Sequence, residues 1–313
     1  MIAQIGRIVV RFVLSVLVAS VVIFIALRII PGDPAEVALG VTATPELLAQ
    51  TRSEYGLDRP LMVQYVSWMA GVLHGDFGTS LTSGTEISAL VADRFAVSLI
   101  LILCSMAVAV LVAVPLGVWA GMRARHTDGA LLSAATQLGI ALPSFLVGIL
   151  LVSVFSVKLG WLPANGWTPP AWGFGSFLSR LIMPVLALAL VQAAILTRYV
   201  RSAVLDILGE DFLITARAGG LTRWQALVRH GLRNAAIPVV TVTGIQLAGL
   251  IIGAVVVERV FVVPGLGAYL LDAVAARDLP TVQTVVLVLV VFTLFINMLV
   301  DISYALIDPR VRK

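Results

Sequence analysis

The 313-residue chain is 60% hydrophobic and only 12% charged, and its mean hydropathy is +1.05. Soluble globular proteins carry about 25% charged residues, so this composition excludes a water-soluble globular protein and indicates a chain that crosses a membrane several times. The net charge of +4 does not indicate a nucleic-acid partner, because arginine placement in a membrane protein reports the side of the bilayer on which a loop lies.

Six segments contain the roughly 20 apolar residues that a helix needs to cross a bilayer. They are predicted at residues 8–30, 96–121, 130–157, 181–200, 237–261 and 281–300. An even number of spans puts both termini on one side, and assigning them to the cytoplasm collects most of the 21 basic residues there. The sequence therefore predicts an all-α polytopic membrane protein with six transmembrane helices. Pro115 and Pro143 fall inside spans and are expected to bend them.

The spans divide the chain into four predicted regions. These are an N-terminal tail and first span at 1–30, a helical external insertion at 31–95, a five-span core at 96–303 with a cytoplasmic loop at 201–236, and a cytoplasmic tail at 304–313. No small-residue cleavage site follows the first apolar segment, so it is predicted to be a retained span rather than a signal peptide. The single cysteine, Cys104, excludes an intrachain disulfide.

The insertion carries two helix signals. Thr44 is a predicted N-cap for a helix that begins with Pro45 and ends near Gly56. A second helix is predicted to follow Pro60 and to end by Gly75. This region is therefore predicted to be a small helical cap and not a linker.

A long polar stretch interrupts the apolar second half of the chain. A first helix is predicted at 211–218, with acidic residues at its start. The glycine pair at 219–220 can adopt backbone conformations that other residues avoid, so it is predicted to end this helix. Thr222 is a predicted N-cap for a second helix at 223–234, and Pro238 is placed at the beginning of the next span. The stretch is strongly basic, so we expect a hinged, helical, cytoplasmic knob.

The sequences TARAGGL at 215–221, RHGLRN at 229–234 and Ile237-Pro238 resemble the cytoplasmic "EAA" loop of ABC importer permeases. This form of the loop resembles that of the dipeptide/oligopeptide/nickel permeases, the B-type inner-membrane components of binding-protein-dependent systems. The resemblance extends over nearly the whole chain. It implies that Ala216 and Gly220 occupy small-residue positions of a coupling helix that docks into a groove on an ATPase. Ile214 and Gly219 depart from the family pattern, which commonly has a charged residue and a lysine there. The residues that the resemblance implies in ATPase coupling are Thr215, Ala216, Arg217, Ala218, Gly219, Gly220, Leu221, Arg229, Arg233 and Asn234.

The same resemblance implies partners and a location. The chain would pair with a paralogous permease subunit, two ATP-binding subunits that hold ATP and Mg, and an extracytoplasmic solute-binding protein, in a bacterial cytoplasmic (inner) membrane. It would bind no cofactor itself. Di- or oligopeptides are the implied substrate, with a nickel chelate, glutathione or another small solute as alternatives. External stretches at 31–34, 55–61 and 75–80 are also similar to this family, as is the loop after the fifth span, which implies a position near the gate or the binding protein for Glu258, Arg259, Phe261, Pro264 and Gly265.

Several predicted spans carry polar side chains at membrane depth. These residues are Gln137, Ser144, Gln192, Thr243, Gln246 and Asn297. Two interpretations stay open: the side chains line a translocation path, or they form interhelical hydrogen bonds of about 1 kcal/mol each.

Other chemistries lack support in the sequence. Its two lysines, Lys158 and Lys313, do not follow glycine, so no P-loop for ATP hydrolysis is present. The three histidines lack the spacing of a zinc protease, and no catalytic or metal residue is predicted. An ion-coupled secondary carrier is a second hypothesis, but it favours a charge deep within a span, and the predicted span centres are uncharged. A scaffold without transport would not need the hinged loop, and an enzyme ranks last.

Overall fold

The structure is a computed structural model that describes residues 2–29, 34–39 and 43–307. Within these ranges the regular elements are helices, and the strand-like pairing is one isolated bridge between Thr79 and Glu86. The motif residues 31–33 and the predicted tail from 308 onward lie outside the described residues. The α-helices are α1 (Ile2–Ile29), α2 (Pro34–Leu39), α3 (Pro45–Glu54), α4 (Leu61–His74), α5 (Ile87–Met122), α6 (Thr127–Ala141), α7 (Ser144–Leu151), α8 (Phe174–Leu208), α9 (Asp211–Ala218), α10 (Arg223–Ala226), α11 (Leu232–Phe261), α12 (Leu266–Ala275) and α13 (Leu279–Ile307).

Five helical segments of the described chain are long and apolar enough to cross a membrane. They are α1, α5, α8, the continuous stretch Arg223–Phe261, and α13. A sixth span results if α6 and the helix that begins with Ser144, which are bent by 98° at their junction, count as one. The prediction of an all-α polytopic membrane protein is confirmed.

Pro143 breaks the third predicted span. Leu142 and Pro143 have extended backbone conformations, with ψ of 124° and 140°, between α6 and α7. A proline lacks the backbone N–H and disfavours helical geometry at the residue before it, so the predicted bend is a full break. By contrast, α5 continues through Pro115 without interruption.

The predicted helix start at Pro238 is wrong. Helical turns start at Arg223, pass through a π-helical segment (Leu227–Gly231) and continue as α11, so Pro238 lies inside this helix and not at its start. The residues before Pro238 form helix readily, and one proline removes only one backbone hydrogen bond, which a membrane helix tolerates. The second helix of the loop and the span are thus one 39-residue helical segment.

One compact unit comprises residues 99–263 and 299–307. Helix α8 is at its centre and packs against α6, α7 and α11. Small residues permit close packing of α5 on α8: a Cβ atom added to Gly117 would lie 2.5 Å from Cβ of Val200, and one added to Gly121 would lie 2.7 Å from Cγ1 of Val204. The cytoplasmic loop predicted from the sequence belongs to this unit.

The second unit comprises residues 2–98 and 264–298. Its two predicted helix signals are confirmed, because the Thr44 side chain accepts a hydrogen bond from the Leu47 N–H and Gly75 ends α4 with φ of 78°. Its core contains Ile87, Val91, Leu266 and Val285, each at most 2% exposed.

Candidate functional site

The polar loop after α8 contains α9 and two consecutive glycines. Asp211 lies in the first turn of α9 and Arg217 in the last turn, an arrangement that complements the helix dipole. Gly219 has φ of −76°, which any residue adopts, whereas Gly220 has φ of +95°. The conformation that favours glycine is therefore confined to Gly220, which is the hinge.

The helix after the hinge begins with a capping box. The Gln225 N–H donates to Oγ1 of Thr222 at 3.3 Å, and the Thr222 N–H donates to Oε1 of Gln225 at 3.0 Å. The predicted N-cap at Thr222 is confirmed. The contribution of Gln225 was not predicted, although a threonine followed three residues later by glutamine is the sequence signature of this motif.

Leu213 anchors α9 to the unit and is only 1% exposed. A Cβ atom added to Gly231 would lie 2.8 Å from Cδ1 of Leu227, 3.0 Å from Cγ2 of Ile207 and 3.3 Å from Cδ1 of Leu213. The absence of a side chain at Gly231 therefore makes room for Leu213. Sequence analysis did not identify this pair, because only the fold shows which face of α9 is inward.

The helix beyond the hinge is anchored by a second apolar contact. Leu227 is fully buried in a cluster with Val118, Val200 and Val204, which come from α5 and α8. The loop is thus attached to the ends of two membrane-spanning helices.

Large apolar side chains of the loop are also exposed. We call Phe212, Ile214, Trp224 and Val228, which are between 39% and 54% exposed, the exposed apolar group. Most of the residues that the family resemblance assigned to coupling are exposed as well, while Ala216 and Leu221 are half-buried. An exposed apolar group with arginines around it is typical of a surface that contacts another protein. The exposed residues of the predicted set are Thr215, Arg217, Ala218, Gly219, Gly220, Arg229, Arg233 and Asn234.

Two of the six membrane-depth polar residues contact each other. Nε2 of Gln246 on α11 donates a hydrogen bond to Oε1 of Gln192 on α8 at 2.9 Å. Both side chains are half-buried. This contact fits the interhelical interpretation for these two residues.

The other four membrane-depth polar residues do not form one cluster in the structure. Thr243 donates to the Val239 carbonyl one turn earlier, at 2.8 Å, and Ser144 lies beside Gly253 of α11. Gln137 is exposed and lines a cavity of about 60 Å³. Asn297 is exposed in the unit that contains residues 264–298.

The stretch after α11 combines buried side chains with an unusual backbone. Glu258 and Phe261 are each 1% exposed, and the Phe261 carbonyl accepts a hydrogen bond from the Gly166 N–H at 2.8 Å. Val262 ends the helix in the left-handed conformation with φ of 53°, which is strained for a β-branched residue. In the other unit, Pro264 is half-buried and Gly265 precedes α12.

The metal-ligating side chains of the described residues are scattered. No group of three or more histidine, cysteine, aspartate or glutamate side chains lies close enough there to hold a metal ion. His74 ends α4, His126 precedes α6 and His230 lies in the π-helical segment.

Comparisons with known proteins match the chain along nearly its whole length. Residues 113–313 match the family of binding-protein-dependent transport system inner membrane components, and residues 1–102 match the N-terminal region of such membrane components. A Sinorhizobium fredii protein named "Probable peptide ABC transporter permease protein" is 38% identical over 96% of this chain and 97% of its own length. The glutathione transport system permease protein of Salmonella choleraesuis is 40% identical over 95% of each chain.

The apolar helices and the hinged loop define a multi-pass α-helical membrane protein. With the comparisons, the chain belongs to the family of binding-protein-dependent transport system inner membrane components, which are ABC importer permeases. It is a transport subunit of the inner membrane and not an enzyme.

Proposed function

We propose that this chain forms half of the translocation path for di- or oligopeptides in an ABC importer and that α9 with its hinge couples the path to separate ATPase subunits. The observation that carries the proposal is mechanical. Leu213 fixes α9 against Gly231, and the helix after the hinge runs without a break from Arg223 to Phe261. A push on α9 therefore reaches a membrane-spanning helix directly.

The proposed partners follow from the family. A paralogous permease completes the path, two ATPase subunits bind ATP and Mg and contact the exposed apolar group, and an extracytoplasmic binding protein delivers the solute. This chain supplies no ATPase site, since neither Lys158 nor Lys313 follows a glycine as a P-loop requires. ATP binding and hydrolysis on the partners would shift the permease between its two access states.

The proposed topology places the arginine-rich loop and both termini in the cytoplasm. The positive-inside bias supports this orientation, with Arg217, Arg223, Arg229 and Arg233 concentrated between the end of α8 and the first turn of α11. Residues 31–95 would then form the external insertion, residues 96–303 the core with its loop at 201–236, and residues 304–313 a cytoplasmic tail. Glu258, Arg259, Phe261, Pro264 and Gly265 would lie on the external side, near the binding protein.

The names of the relatives support a peptide over other solutes. One relative is named for peptide transport and another for transport of glutathione, itself a tripeptide. A nickel chelate or another small solute is the alternative within the family. An ion-coupled carrier is not favoured, because the comparisons match permeases of a binding-protein-dependent system over nearly the entire chain.

Cross-linking tests the coupling role. Cys104 is the only cysteine, so a Cys104→Ala variant provides a background for Ala218→Cys on exposed α9. In the complete transporter we expect Ala218→Cys to cross-link to an ATPase subunit and Ala92→Cys, exposed on α5 in the other unit, not to do so. Failure of Ala218→Cys to capture an ATPase, or ATP turnover by the purified single chain, contradicts the proposal.

A further inference from the structure

A cavity of about 360 Å³ lies within the unit formed by residues 2–98 and 264–298. Its walls come from the end of α1, the loop between α3 and α4, one side of α4, the segment after α4 and the first turn of α13. Sites for small molecules typically have volumes of about 300–1,000 Å³. The cavity is therefore large enough for a ligand of a few residues, and none of the coupling residues lines it.

Charges of both signs line this cavity. Arg28 and Arg59 contribute guanidinium groups, and Glu54 and Asp76 contribute carboxylates. Over the described residues none of the four forms an ion pair. Glu54 accepts a hydrogen bond from Gln50 at 2.8 Å, and Asp76 accepts one from a backbone N–H at 2.9 Å. All four are exposed and are therefore hydrated when the cavity holds no ligand. Groups of both signs around one cavity complement a ligand that carries both charges.

Two amide side chains at the cavity have unused hydrogen-bonding capacity. Gln283 is 7% exposed and makes no hydrogen bond to the described part of the chain. Gln64 uses its Nε2 to donate to the carbonyls of Leu57 at 3.1 Å and Arg59 at 2.7 Å, while its Oε1 is buried without a partner. The Gln64 oxygen is enclosed by protein and out of reach of a ligand, whereas Gln283 lines the cavity. Buried amide groups are normally satisfied, so Gln283 indicates a ligand with its own donors and acceptors.

An aromatic wall completes the cavity. The rings of Phe24 and Trp68 stack with centroids 6.1 Å apart at 25°, and the Arg28 guanidinium lies 5.1 Å from the Phe24 centroid. Such a wall accommodates the flat face of a peptide group or an apolar side chain.

We propose that this cavity is a binding site for a short zwitterionic peptide. The ligand's carboxylate faces the two arginines, its ammonium faces Glu54 or Asp76, and one of its backbone amides pairs with Gln283. A zwitterionic lipid headgroup shares the charges but offers no backbone amide to Gln283. The choice of a peptide rests on the proposed function, and the site is additional to the coupling loop.

Calorimetry on the complete transporter, assembled in lipid nanodiscs without ATP and without the binding protein, tests the proposal. Trialanine with free ends and trialanine blocked by N-acetylation and C-amidation are titrated in parallel. We expect the free peptide to bind at least about tenfold more tightly, because the blocked peptide loses both charged contacts. Equal affinities, no binding of the free peptide, or a bound lipid that the peptide fails to displace would overturn the proposal.

Two variants of α13 separate a ligand contact from a structural role. Thr284 follows Gln283, is fully buried and has a hydroxyl without a partner, but it does not line the cavity. We expect Gln283→Met to weaken trialanine binding about fivefold or more without lowering the thermal midpoint, because the amide it removes has no internal partner. Thr284→Val should leave the affinity unchanged. Equal affinities for wild type and Gln283→Met, or an equal loss in both variants, would contradict the assignment.

Uptake measurements distinguish this proposal from the proposed function. If the transporter with its binding protein imports trialanine but the permease binds none, only the cavity assignment fails. If the complete transporter imports no peptide at all, the proposed function fails first.

Discussion

The side chain of Leu213 occupies the space that Gly231 leaves open. A Cβ atom on Gly231 would lie 3.3 Å from Cδ1 of Leu213, which is the buried residue of α9. Burial of a leucine side chain contributes about 1.5–3 kcal/mol. This contact therefore helps to hold the short helix α9 against the long helix that contains Gly231, together with the packing of α9 on α8 and α10.

Replacing Gly231 should loosen this connection. In Gly231→Ala the new methyl group also meets Leu227 at 2.8 Å and Ile207 at 3.0 Å, and such overpacking costs about 1–3 kcal/mol. We expect peptide-stimulated ATP turnover of the complete transporter to fall, with normal insertion of the variant. The matched control is Gly249→Ala, on the same helix with no atom within 4 Å of the added Cβ, which should retain coupling. Full coupling in Gly231→Ala would show that the contact is dispensable.

The two hinge glycines should respond differently to substitution. At Gly220, with φ of +95°, a side chain is strained, whereas Gly219, with φ of −76°, accepts alanine. We expect Gly220→Ala to reduce coupled uptake and Gly220→Asp to abolish it while the protein remains inserted. Gly219→Ala should transport normally. Peptide uptake together with ATPase assays gives the answer, and equal behaviour of Gly219→Ala and Gly220→Ala would rule out the hinge.

The hydrogen bond between Gln246 and Gln192 offers a test of the two interpretations of the membrane-depth residues. Gln246→Leu leaves the Gln192 amide without its partner, so we expect a loss of about 0.6–2 kcal/mol in stability. The double variant Gln192→Leu/Gln246→Leu should recover most of that loss, because no orphaned amide remains. Thermal unfolding in detergent measures both. A stable double variant that nevertheless fails to transport would instead place these side chains on the path.

Local signals predicted the ends of helices well. The signals at Thr44, Gly75 and Thr222 act within a few residues of their own position, and the structure confirms each of them. At Pro143, where a bend was predicted, the helix breaks. Pro238 was misread for the same local reason. A proline favours a helix start, but in a membrane helix the apolar surroundings preserve the helical backbone through it.

Contacts between residues far apart in the chain could not be predicted from the sequence. The packing of Leu213 on Gly231 depends on which face of α9 turns inward, and the cavity of about 360 Å³ combines residues from Phe24 to Gln283. No periodicity within one helix specifies such a combination. At the loop, the family resemblance identified the functional residues because the motif is contiguous in the sequence. At the cavity, the lining residues are dispersed along the chain and no motif identifies them.

Asp278 shows how such a distant contact is built. Its carboxylate is only 3% exposed and accepts hydrogen bonds from Oγ of Ser80 at 2.5 Å, the Leu81 N–H at 3.2 Å and Oγ1 of Thr281 at 2.7 Å. It thereby joins the loop before α5 to the beginning of α13, and Leu81 of this loop lines the proposed peptide cavity.

We expect Asp278→Asn to destabilise the unit formed by residues 2–98 and 264–298. An ionised carboxylate is an acceptor only, whereas one end of the asparagine amide is a donor and would face the donors of Ser80 and Thr281. Hydrogen bonds to charged groups are each worth about 1.5–3 kcal/mol, so the loss should lower the thermal midpoint measurably. Asp93→Asn, at an exposed position on α5, is the matched control and should leave the midpoint unchanged. If both variants unfold at the wild-type temperature, the buried carboxylate does not hold this loop in place.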